Sequence, residues 1–358
     1  MKKTALLILG LAVSAGCLWA ILRNQPLSEL LEAARSIRWG WIALSTAVFY
    51  ATMGLRAVRW ALFFAPPGSV KGRSIFGPMM AGYALNSIFP ARVGEPVRAA
   101  LVARREGQSF VAAFATVVAE RIVDSLTVLA ALAAVFLWVD FGEFTLEYRG
   151  FTLNAAALKQ VAQTSSIVLL PMIAGAALLM TRWFRRWLQR MLNAAPFLPA
   201  KIKILGAKII ESFAQGFDGL RDAASVLWIV IHSALIWGGI GWSVQILGRG
   251  FGVPMTFMQG LAIMAITCVA IIIPAAPGYW GLFEAGFLFA ASILGLAGGI
   301  ATLTAMGLLL HLTQYAPVIL IGFGWAAWSG VSLAEQARRG AARANGELAP
   351  VPPAVRPD

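Results

Sequence analysis

The sequence predicts an all-α polytopic membrane protein with about six to eight transmembrane helices and two re-entrant or broken helical segments. Of its 358 residues, 59% are hydrophobic and only 13% are charged, and the mean hydropathy is +0.76. Apolar runs of about 20 residues recur along the chain, which is the length a helix needs to cross a bilayer. The alternating pattern of a membrane barrel is not seen. These observations exclude a soluble globular domain.

The net charge of +13 is explained by membrane topology rather than by a nucleic-acid partner. The basic residues lie mainly in loops between apolar runs, as the positive-inside rule requires of cytoplasmic loops. Anionic phospholipid headgroups are natural neighbours of such loops. Cys17 and Cys268 both fall within apolar helices, so the sequence predicts no disulfide framework, no metal site and no cofactor.

Two full spans are predicted at the start of the chain. Thr4–Leu22 resembles a signal peptide, but its apolar run continues past Cys17, so we interpret it as an uncleaved first span. Trp39–Phe64 is the second span. Its Arg56 and Arg59 are interpreted as snorkelling to the interface. Their three-residue spacing also places them on one helix face, where contact with a lipid phosphate is the alternative.

A broken segment follows these spans. Ile75–Phe89 is too short to cross a core of about 30 Å at about 1.5 Å per residue, and Pro90, Gly94 and Pro96 come directly after it. The next residues, 97–106, carry several arginines. Irregular backbone is tolerated at membrane depth only inside protein or beside a cavity. We therefore predict a re-entrant hairpin at this position.

The next helix, predicted over Ser109–Val139, carries Glu120, Arg121 and Asp124 inside an apolar run. A charge at mid-membrane costs about 3 kcal/mol on insertion scales, so charges there are usually paired or functional. Arg121 and Asp124 can pair at i, i+3. Two interpretations remain open: an internal ion pair that locks helices together, and a polar cavity that accepts a lipid headgroup or relays protons.

The middle of the chain is polar and then strongly basic. A polar loop is predicted over 140–159 and a further span over Ser165–Met180. The basic loop 182–222 is placed in the cytoplasm. Within it, the helical periodicity of Lys201–Leu220 predicts a helix that lies along the membrane surface.

A second broken segment lies in the last third of the chain. A span is predicted at Ala223–Leu247, where His232 is interpreted as making a buried or interhelical hydrogen bond. Phe257–Ile273 then leads into the break Pro274–Glu284, and further apolar residues follow. The final span is predicted at Ala301–Trp328.

The two broken segments indicate an inverted repeat. Pro90-x-x-x-Gly94 matches Pro274-x-x-x-Gly278 in spacing, and a long span follows each break. We place repeat 1 at about 39–139 and repeat 2 at about 223–328, with broken helices meeting near the midplane as in many transporters.

The charge distribution fits one topology, in which both termini and the basic loops are cytoplasmic and the two hairpins enter from opposite faces. If 257–298 crosses the membrane twice instead, the termini stay inside but the strict inversion is lost. The predicted membrane-embedded domain is 1–331, and the tail 332–358 is predicted to be disordered from its composition.

Polar residues at the breaks and on the charged helix are the candidate substrate-binding residues. Arg92 offers a planar fork suited to bidentate phosphate binding, and Gly94 allows the backbone to approach closely. Glu284 needs a partner, for which Arg92, Arg121 or a substrate ammonium group would serve. The complete candidate set is Arg92, Gly94, Glu95, Arg98, Glu120, Arg121, Asp124, Gly278 and Glu284.

A set of motifs extends across both halves. It comprises Asn86-x-x-x-Pro90-x-Arg92-x-Gly94-Glu95-x-x-Arg98, Arg105-x-Gly107-x-Ser109, Ala115-Thr116-Val-Val-Ala-Glu120-Arg121-x-x-Asp124 and Pro274-Ala-Ala-Pro-Gly278 to Glu284. With these motifs the chain resembles the lysylphosphatidylglycerol synthetase transmembrane-region, or flippase-like, family of bacterial and archaeal membrane proteins, over roughly residues 5–330. The resemblance implies a stand-alone member without the aminoacyl-transferase domain, corresponding to the part that moves lipid between leaflets.

We therefore expect a lipid translocase, and not an enzyme, that moves a phospholipid, aminoacyl-phospholipid or other polar lipid across the bacterial cytoplasmic membrane. The expected partners are membrane lipids with phosphate headgroups, and a homo-oligomer is compatible with the sequence. The alternative is an integral-membrane accessory subunit of a lipid or glycolipid biosynthesis enzyme. A membrane-embedded transferase is a third hypothesis, which turnover of a lipid in detergent would identify.

Overall fold

The fold is that of a computed structural model of the chain, and it is built almost entirely from helices. The structure describes residues 12, 15–23, 25–64, 66, 68–89, 92–138, 145–148, 151–154, 182–194, 199, 203–204, 206–207, 210, 223–271 and 277–331. Residues 15–22 are helical. The helices that follow are α1 (Leu27–Arg35), α2 (Trp39–Ala61), α3 (Gly72–Ile88), α4 (Gly94–Glu106), α5 (Phe110–Trp138), α6 (Arg182–Ala194), α7 (Ala223–Gly250), α8 (Phe257–Ala270), α9 (Leu282–Ile293) and α10 (Ile300–Trp328).

Helix length separates spanning candidates from shorter elements. In the described chain, α2, α7 and α10 are long and apolar enough to cross a membrane, and α5 matches α10 at 29 residues. By contrast α3, α4, α8 and α9 have 17, 13, 14 and 12 residues. At about 1.5 Å per residue these are shorter than a core of about 30 Å. The prediction of a helical membrane protein is confirmed, whereas the number of crossings and the re-entrant paths remain predictions.

The two halves follow the same order of helix lengths. In each, a long helix is followed by two short helices and a second long helix: α2 to α5, then α7 to α10. The packing has the same symmetry, since α2 packs against α7, α3 against α10 and α8 against α5. One hydrophobic core runs through both halves and contains Trp60, Met79, Ile236 and Phe287. The two halves therefore share one core.

Local sequence sets where the helices start. The hydroxyl of Ser109 accepts from the N–H of Ala112 at 3.0 Å, and α5 accordingly begins at Phe110. α8 begins with a capping box in which Thr256 and Gln259 exchange hydrogen bonds of 3.2 and 2.8 Å. These caps satisfy N–H groups that the first turn leaves without helical partners.

The predicted polar loop at 140–159 contains a small antiparallel hairpin, formed by β1 (Thr145–Tyr148) and β2 (Phe151–Asn154). Leu146 pairs with Leu153 in its register. Apart from this hairpin, the regular elements of the described residues are helical, as predicted.

Several predictions concern residues outside the described ones. They are the span at Ser165–Met180, most of the surface helix at Lys201–Leu220 and the tail 332–358. Within the basic loop the structure instead shows α6, on which Trp183 and Trp187 are exposed among arginines. A basic helix with exposed aromatic rings suits a position at a membrane surface.

Candidate functional site

Seven charged side chains from α2, α4 and α5 form one connected, mostly buried set, which we call the charged cluster. It contains four arginines and three carboxylates, so with every group ionised it carries one net positive charge. Its members are Arg56, Arg59, Glu95, Arg98, Glu120, Arg121 and Asp124. Buried charges are stable only when they are paired, and here every member has an opposite charge within 4.0 Å.

Asp124 lies at the centre of the charged cluster. Nη2 of Arg59 lies 2.6 Å from its Oδ1, and Nη1 of Arg56 lies 3.1 Å from its Oδ2. Arg59 also donates to the hydroxyl of Ser233 on α7 at 2.8 Å. The predicted snorkelling of both arginines is therefore wrong, since their side chains are 9% and 0% exposed. Both arginines instead donate charge-assisted hydrogen bonds to the carboxylate of Asp124 on α5. These bonds replace the ones that the arginines would make at the membrane interface.

Arg98 ties the short helix α4 to the long helix α5. Its Nε donates to Glu95 at 2.8 Å and its Nη1 to Glu120 at 2.7 Å. The guanidinium also lies over the rings of Trp60 and Tyr83, 4.4 and 5.4 Å from their centroids. The side chain of Arg98 is fully buried, so it has no exposed surface in this structure.

Arg121 lies at the edge of the charged cluster, with 33% of its side chain exposed. Its Nη2 donates to Glu120 at 2.9 Å and to the hydroxyl of Tyr83 at 3.3 Å. It also lies 3.4 Å from Asp124, so the i, i+3 pairing that the sequence predicts is confirmed. Its Nε has no acceptor among the described residues. That atom is buried, as are the unpaired Nε atoms of Arg56 and Arg59, so an added anion can reach Arg121 only at the exposed part of its side chain.

The two breaks lie against each other. The 3₁₀ turn Pro277–Tyr279 packs against α3, and a Cβ atom at Gly278 would lie 3.1 Å from the carbonyl oxygen of Ser87. The guanidinium of Arg92 lies 6.0 Å from the ring centroid of Tyr279. These two residues have φ of 52° and 59°, a left-handed conformation that is uncommon outside glycine. Such strain persists where the surroundings fix it, and it concentrates at functional sites.

Gly94 lies where α3 and α4 cross. A Cβ atom at this position would overlap the carbonyl oxygen of Gly82. The N–H of Gly94 donates to Oδ1 of Asn86 at 2.7 Å, and Nδ2 of Asn86 lies 3.4 Å from Glu95. The close backbone approach that the sequence predicts at Gly94 is therefore an approach to another helix.

Glu284 is paired with His311 of α10 and not with one of the predicted arginines. Nδ1 of His311 lies 2.6 Å from Oε1 of Glu284, and Nε2 lies 2.9 Å from the carbonyl oxygen of Gly278. The second oxygen of Glu284 accepts from the N–H of Gly281 at 2.7 Å. The pair therefore connects the backbone of the second break, at Gly278 and Gly281, to the long helix α10.

Aromatic rings enclose His311. The rings of Trp280, Phe283 and Tyr315 have centroids 4.3, 4.4 and 4.3 Å from the imidazole. The side chain of His311 is fully buried and that of Glu284 is 1% exposed. His232, by contrast, bonds within its own helix, with Nδ1 2.7 Å from the carbonyl oxygen of Trp228, which corrects the predicted buried or interhelical bond.

The predicted site residues fall in three places. Glu95, Arg98, Glu120, Arg121 and Asp124 belong to the charged cluster. Arg92, Gly94 and Gly278 lie at the two breaks. Glu284 pairs with His311. Sequence reasoning missed Tyr83 and His311 and gave Arg56 and Arg59 another role. The three-residue spacing of the two arginines was the one available signal, since it placed them on a common face.

Fold and site together define a multi-pass helical membrane protein with a polar, ion-paired interior where two broken helical segments meet. In the described part of the chain, no three His, Cys, Asp or Glu side chains gather as metal ligands. The chain belongs to the family of the lysylphosphatidylglycerol synthase TM region, which matches residues 7–322. The resemblance inferred from the motifs is thereby confirmed.

Two curated relatives share most of this region. The UPF0104 membrane protein PH1989 of Pyrococcus horikoshii is 25% identical over 304 residues, which are 79% of this chain and 85% of the relative. The glycosyltransferase AglD of Haloferax volcanii is 24% identical over 316 residues, which are 83% of this chain but only 50% of that protein. The chain thus spans about half the length of AglD. No solved structure matches it significantly.

Proposed function

We propose that the protein is a lipid translocase that moves a phospholipid, an aminoacyl-phospholipid or another polar lipid between the leaflets of the cytoplasmic membrane. The observation that carries this proposal is the excess positive charge of the charged cluster, which reaches the surface at Arg121. Membership of the lysylphosphatidylglycerol synthase TM family supports a role with lipids. The protein acts in this proposal as a transporter and not as an enzyme.

The headgroup phosphate is held by Arg121 and Arg92. The side chain of Arg121 is 33% exposed, and Arg92 is exposed at the first break. Both guanidinium groups lie within electrostatic range of Glu95. A phosphodiester carries one negative charge, which offsets the net positive charge of the cluster, and its oxygens match the guanidinium fork.

The rest of the charged cluster lowers the free energy of the headgroup at membrane depth. A headgroup loses its water when it leaves the interface, and that loss is tolerable only where hydrogen bonds and opposite charges replace the water. The acyl tails remain in the bilayer throughout. Cluster carboxylates that the phosphate displaces from Arg121 remain bonded to Arg59 and Arg98.

The repeated order of helices supports an inverted repeat, in which the two hairpins enter from opposite faces and meet at the breaks. We place the termini and basic loops in the cytoplasm. Movement of one half against the other would then open the headgroup site to each leaflet in turn.

The test is a leaflet-accessibility assay with the purified protein in liposomes. Labelled phosphatidylglycerol and a labelled aminoacyl-phosphatidylglycerol are supplied, and a membrane-impermeant quencher reports the fraction in the outer leaflet. Translocation above protein-free vesicles is expected for the unchanged chain, and Arg92→Ala and Arg121→Gln are expected to lower it at least about tenfold. The matched control is Arg104→Ala, an exposed arginine on α4 outside the charged cluster.

Two results would contradict the proposal. One is the absence of translocation of either lipid by protein that is shown to be folded. The other is an equal effect of Arg92→Ala and Arg104→Ala, since a phosphate site at the break predicts that only the first matters.

An accessory subunit is the second candidate function, and the relative AglD favours it. That protein is named a glycosyltransferase, and half of it lies outside the matched region. In this alternative the membrane region supports a partner enzyme of lipid or glycolipid synthesis, and the basic loop docks it. A lipid-synthesis enzyme that co-purifies, together with normal function of Arg92→Ala, would favour the accessory role.

A further inference from the structure

The Glu284–His311 pair is a buried ionisable group that the proposed headgroup site does not use. Its side chains are 1% and 0% exposed, and both ends of the pair bond to backbone of the second break. Hydrogen-bond geometry determines how many protons this arrangement holds.

Every contact of the pair can be assigned a donor. The carbonyl oxygen of Gly278 can only accept, so Nε2 of His311, 2.9 Å away, carries a proton. One oxygen of Glu284 accepts from the N–H of Gly281. The remaining contact, 2.6 Å between Nδ1 of His311 and Oε1 of Glu284, therefore contains one proton bound to one of these two atoms.

Loss of that shared proton is incompatible with all three contacts. The imidazole would keep one N–H, which can point to the carboxylate or to the carbonyl oxygen of Gly278 but not to both. An ionised carboxylate is the stronger acceptor. The N–H therefore moves to Nδ1, the lone pair of Nε2 faces the carbonyl oxygen, and the bond that holds Gly278 is lost.

Release of Gly278 from His311 changes the contact between the two breaks. Gly278 lies against Ser87 of α3, and the next residue, Tyr279, lies beneath Arg92. We propose that Glu284 and His311 form a proton-binding site whose occupancy fixes the second break to α10, and that proton binding and release drive the alternation of the headgroup site. The second clause rests on the lipid translocation proposed above.

Other ionisable groups surround the pair. Tyr315 is in ring contact with His311 from the same helix. Tyr279 of the break, Cys268 of α8 and Arg92 of the first break act electrostatically on Tyr315. The three contacts of the pair account for one shared proton, so one proton is the expected stoichiometry.

Nitrogen NMR of the imidazoles tests the proton site without any transport. The chain has two histidines, so His232→Gln leaves His311 as the one labelled imidazole of the full-length protein in detergent micelles. As the pH is raised across the range in which the protein stays folded, we expect the His311 signals to change from two proton-bearing nitrogens, or one shared proton, to protonation at Nδ1 alone. Signals that stay unchanged over this range would overturn the proposal.

Glu284→Gln is the informative variant, because the glutamine amide has no titratable proton. Its NH₂ group can donate to Nδ1 of His311 while its oxygen accepts from the N–H of Gly281. Its His311 should remain protonated at Nε2 at every pH tested. In Glu106→Gln, the matched control on α4, the pH-dependent change should persist. A change that also persists in Glu284→Gln would show that the carboxylate is not its source.

Coupling is tested in liposomes with labelled phosphatidylglycerol and a pH gradient at zero membrane potential. One proton per lipid predicts that about one pH unit supports up to about a tenfold difference of labelled lipid between leaflets. Glu284→Gln should lose this response, and Glu106→Gln should keep it. An unchanged response in Glu284→Gln would overturn the coupling, whereas absence of all translocation would overturn the proposed function and leave the NMR result to decide on the proton site.

Discussion

The two long helices that close each half carry different chemistry at matching positions. Counted from the first residue of each helix, Arg121 of α5 and His311 of α10 are both twelfth, and Asp124 and Gln314 are both fifteenth. A guanidinium stays charged at any pH that proteins experience, whereas an imidazole can gain or lose its charge. The first half therefore has permanent ion pairs and the second has one titratable pair. In the functions proposed above, the first half anchors the fold and the second half switches.

The breaks show the same relation between the halves. Arg92 and Tyr279 each lie two residues before a glycine that opens a helix, and both have positive φ. The conformation thus matches Pro90-x-Arg92-x-Gly94 with Pro277-x-Tyr279-x-Gly281. This match lies three residues further along than the predicted match with Pro274-x-x-x-Gly278. Sequence spacing alone fits both matches.

Asp124→Asn should have the largest effect on stability, because it tests the permanent pairs at their centre. Arg56 would lose its carboxylate, Arg59 would keep only Glu120 at 3.5 Å, and four cations would face two anions in the charged cluster. We expect the free energy of unfolding to fall by about 3–5 kcal/mol. Denaturant unfolding of the detergent-solubilised protein would measure it.

Two variants show whether charge pairing causes that loss. Glu106→Gln changes a partly exposed carboxylate 3.9 Å from Arg105. It should lower the free energy of unfolding by no more than about 1 kcal/mol. Adding Arg59→Met to Asp124→Asn restores the original net charge, so the double variant should be more stable than Asp124→Asn alone. If the loss of stability in the double variant equals the sum of the losses in Asp124→Asn and Arg59→Met, pairing between these residues is not the cause.

Gly94→Ala should have the next largest effect, since it tests how the first hairpin packs. A Cβ atom there would overlap the carbonyl oxygen of Gly82, and neither backbone can move without separating α3 from α4. Overpacking of this kind costs about 1–3 kcal/mol. Gly54→Ala is the matched control: it lies in α2 with nothing within 4 Å of its Cβ position, so it should raise stability by about 0.5–1 kcal/mol. Equal effects of Gly94→Ala and Gly54→Ala on stability would refute the close contact between Gly94 and Gly82.

Glu284→Gln should change stability by less than about 1 kcal/mol, although it is the same carboxylate-to-amide change as Asp124→Asn. The amide can keep the bonds to Gly281 and His311, because the pair holds a proton between its members in the folded state. The same unfolding measurement compares the two variants. A loss as large as that of Asp124→Asn would mean that the second half also depends on a permanent charge, and the contrast between the halves would fail.

The sequence was sufficient to predict the class of fold and the extent of the charged helix, but not which side chains meet. Hydrophobic runs set helix positions, so α5 and α10 begin within one residue of the predicted starts. The pairing of Arg59 with Asp124, and of Glu284 with His311, joins residues on different helices. No periodicity within one helix encodes which face meets which neighbour, because tertiary packing decides it.

Arg92→Ala should have the smallest effect on stability and a large effect on transport, which separates anchoring from ligand binding within the first half. Arg92 is exposed, and the contact it loses is the one with the Tyr279 ring at 6.0 Å, worth about 0.5–1 kcal/mol. A lost charge-assisted bond to phosphate is worth about 1.5–3 kcal/mol, or roughly tenfold or more in headgroup affinity.

Arg92→Gly separates the guanidinium from the backbone strain, since glycine adopts φ of 52° freely. If the guanidinium binds phosphate, both variants lose translocation equally, while Arg92→Gly alone gains stability. If Arg92→Gly loses translocation and Arg92→Ala keeps it, the strained backbone is the functional feature, and the first break resembles the second in mechanism as well as in conformation.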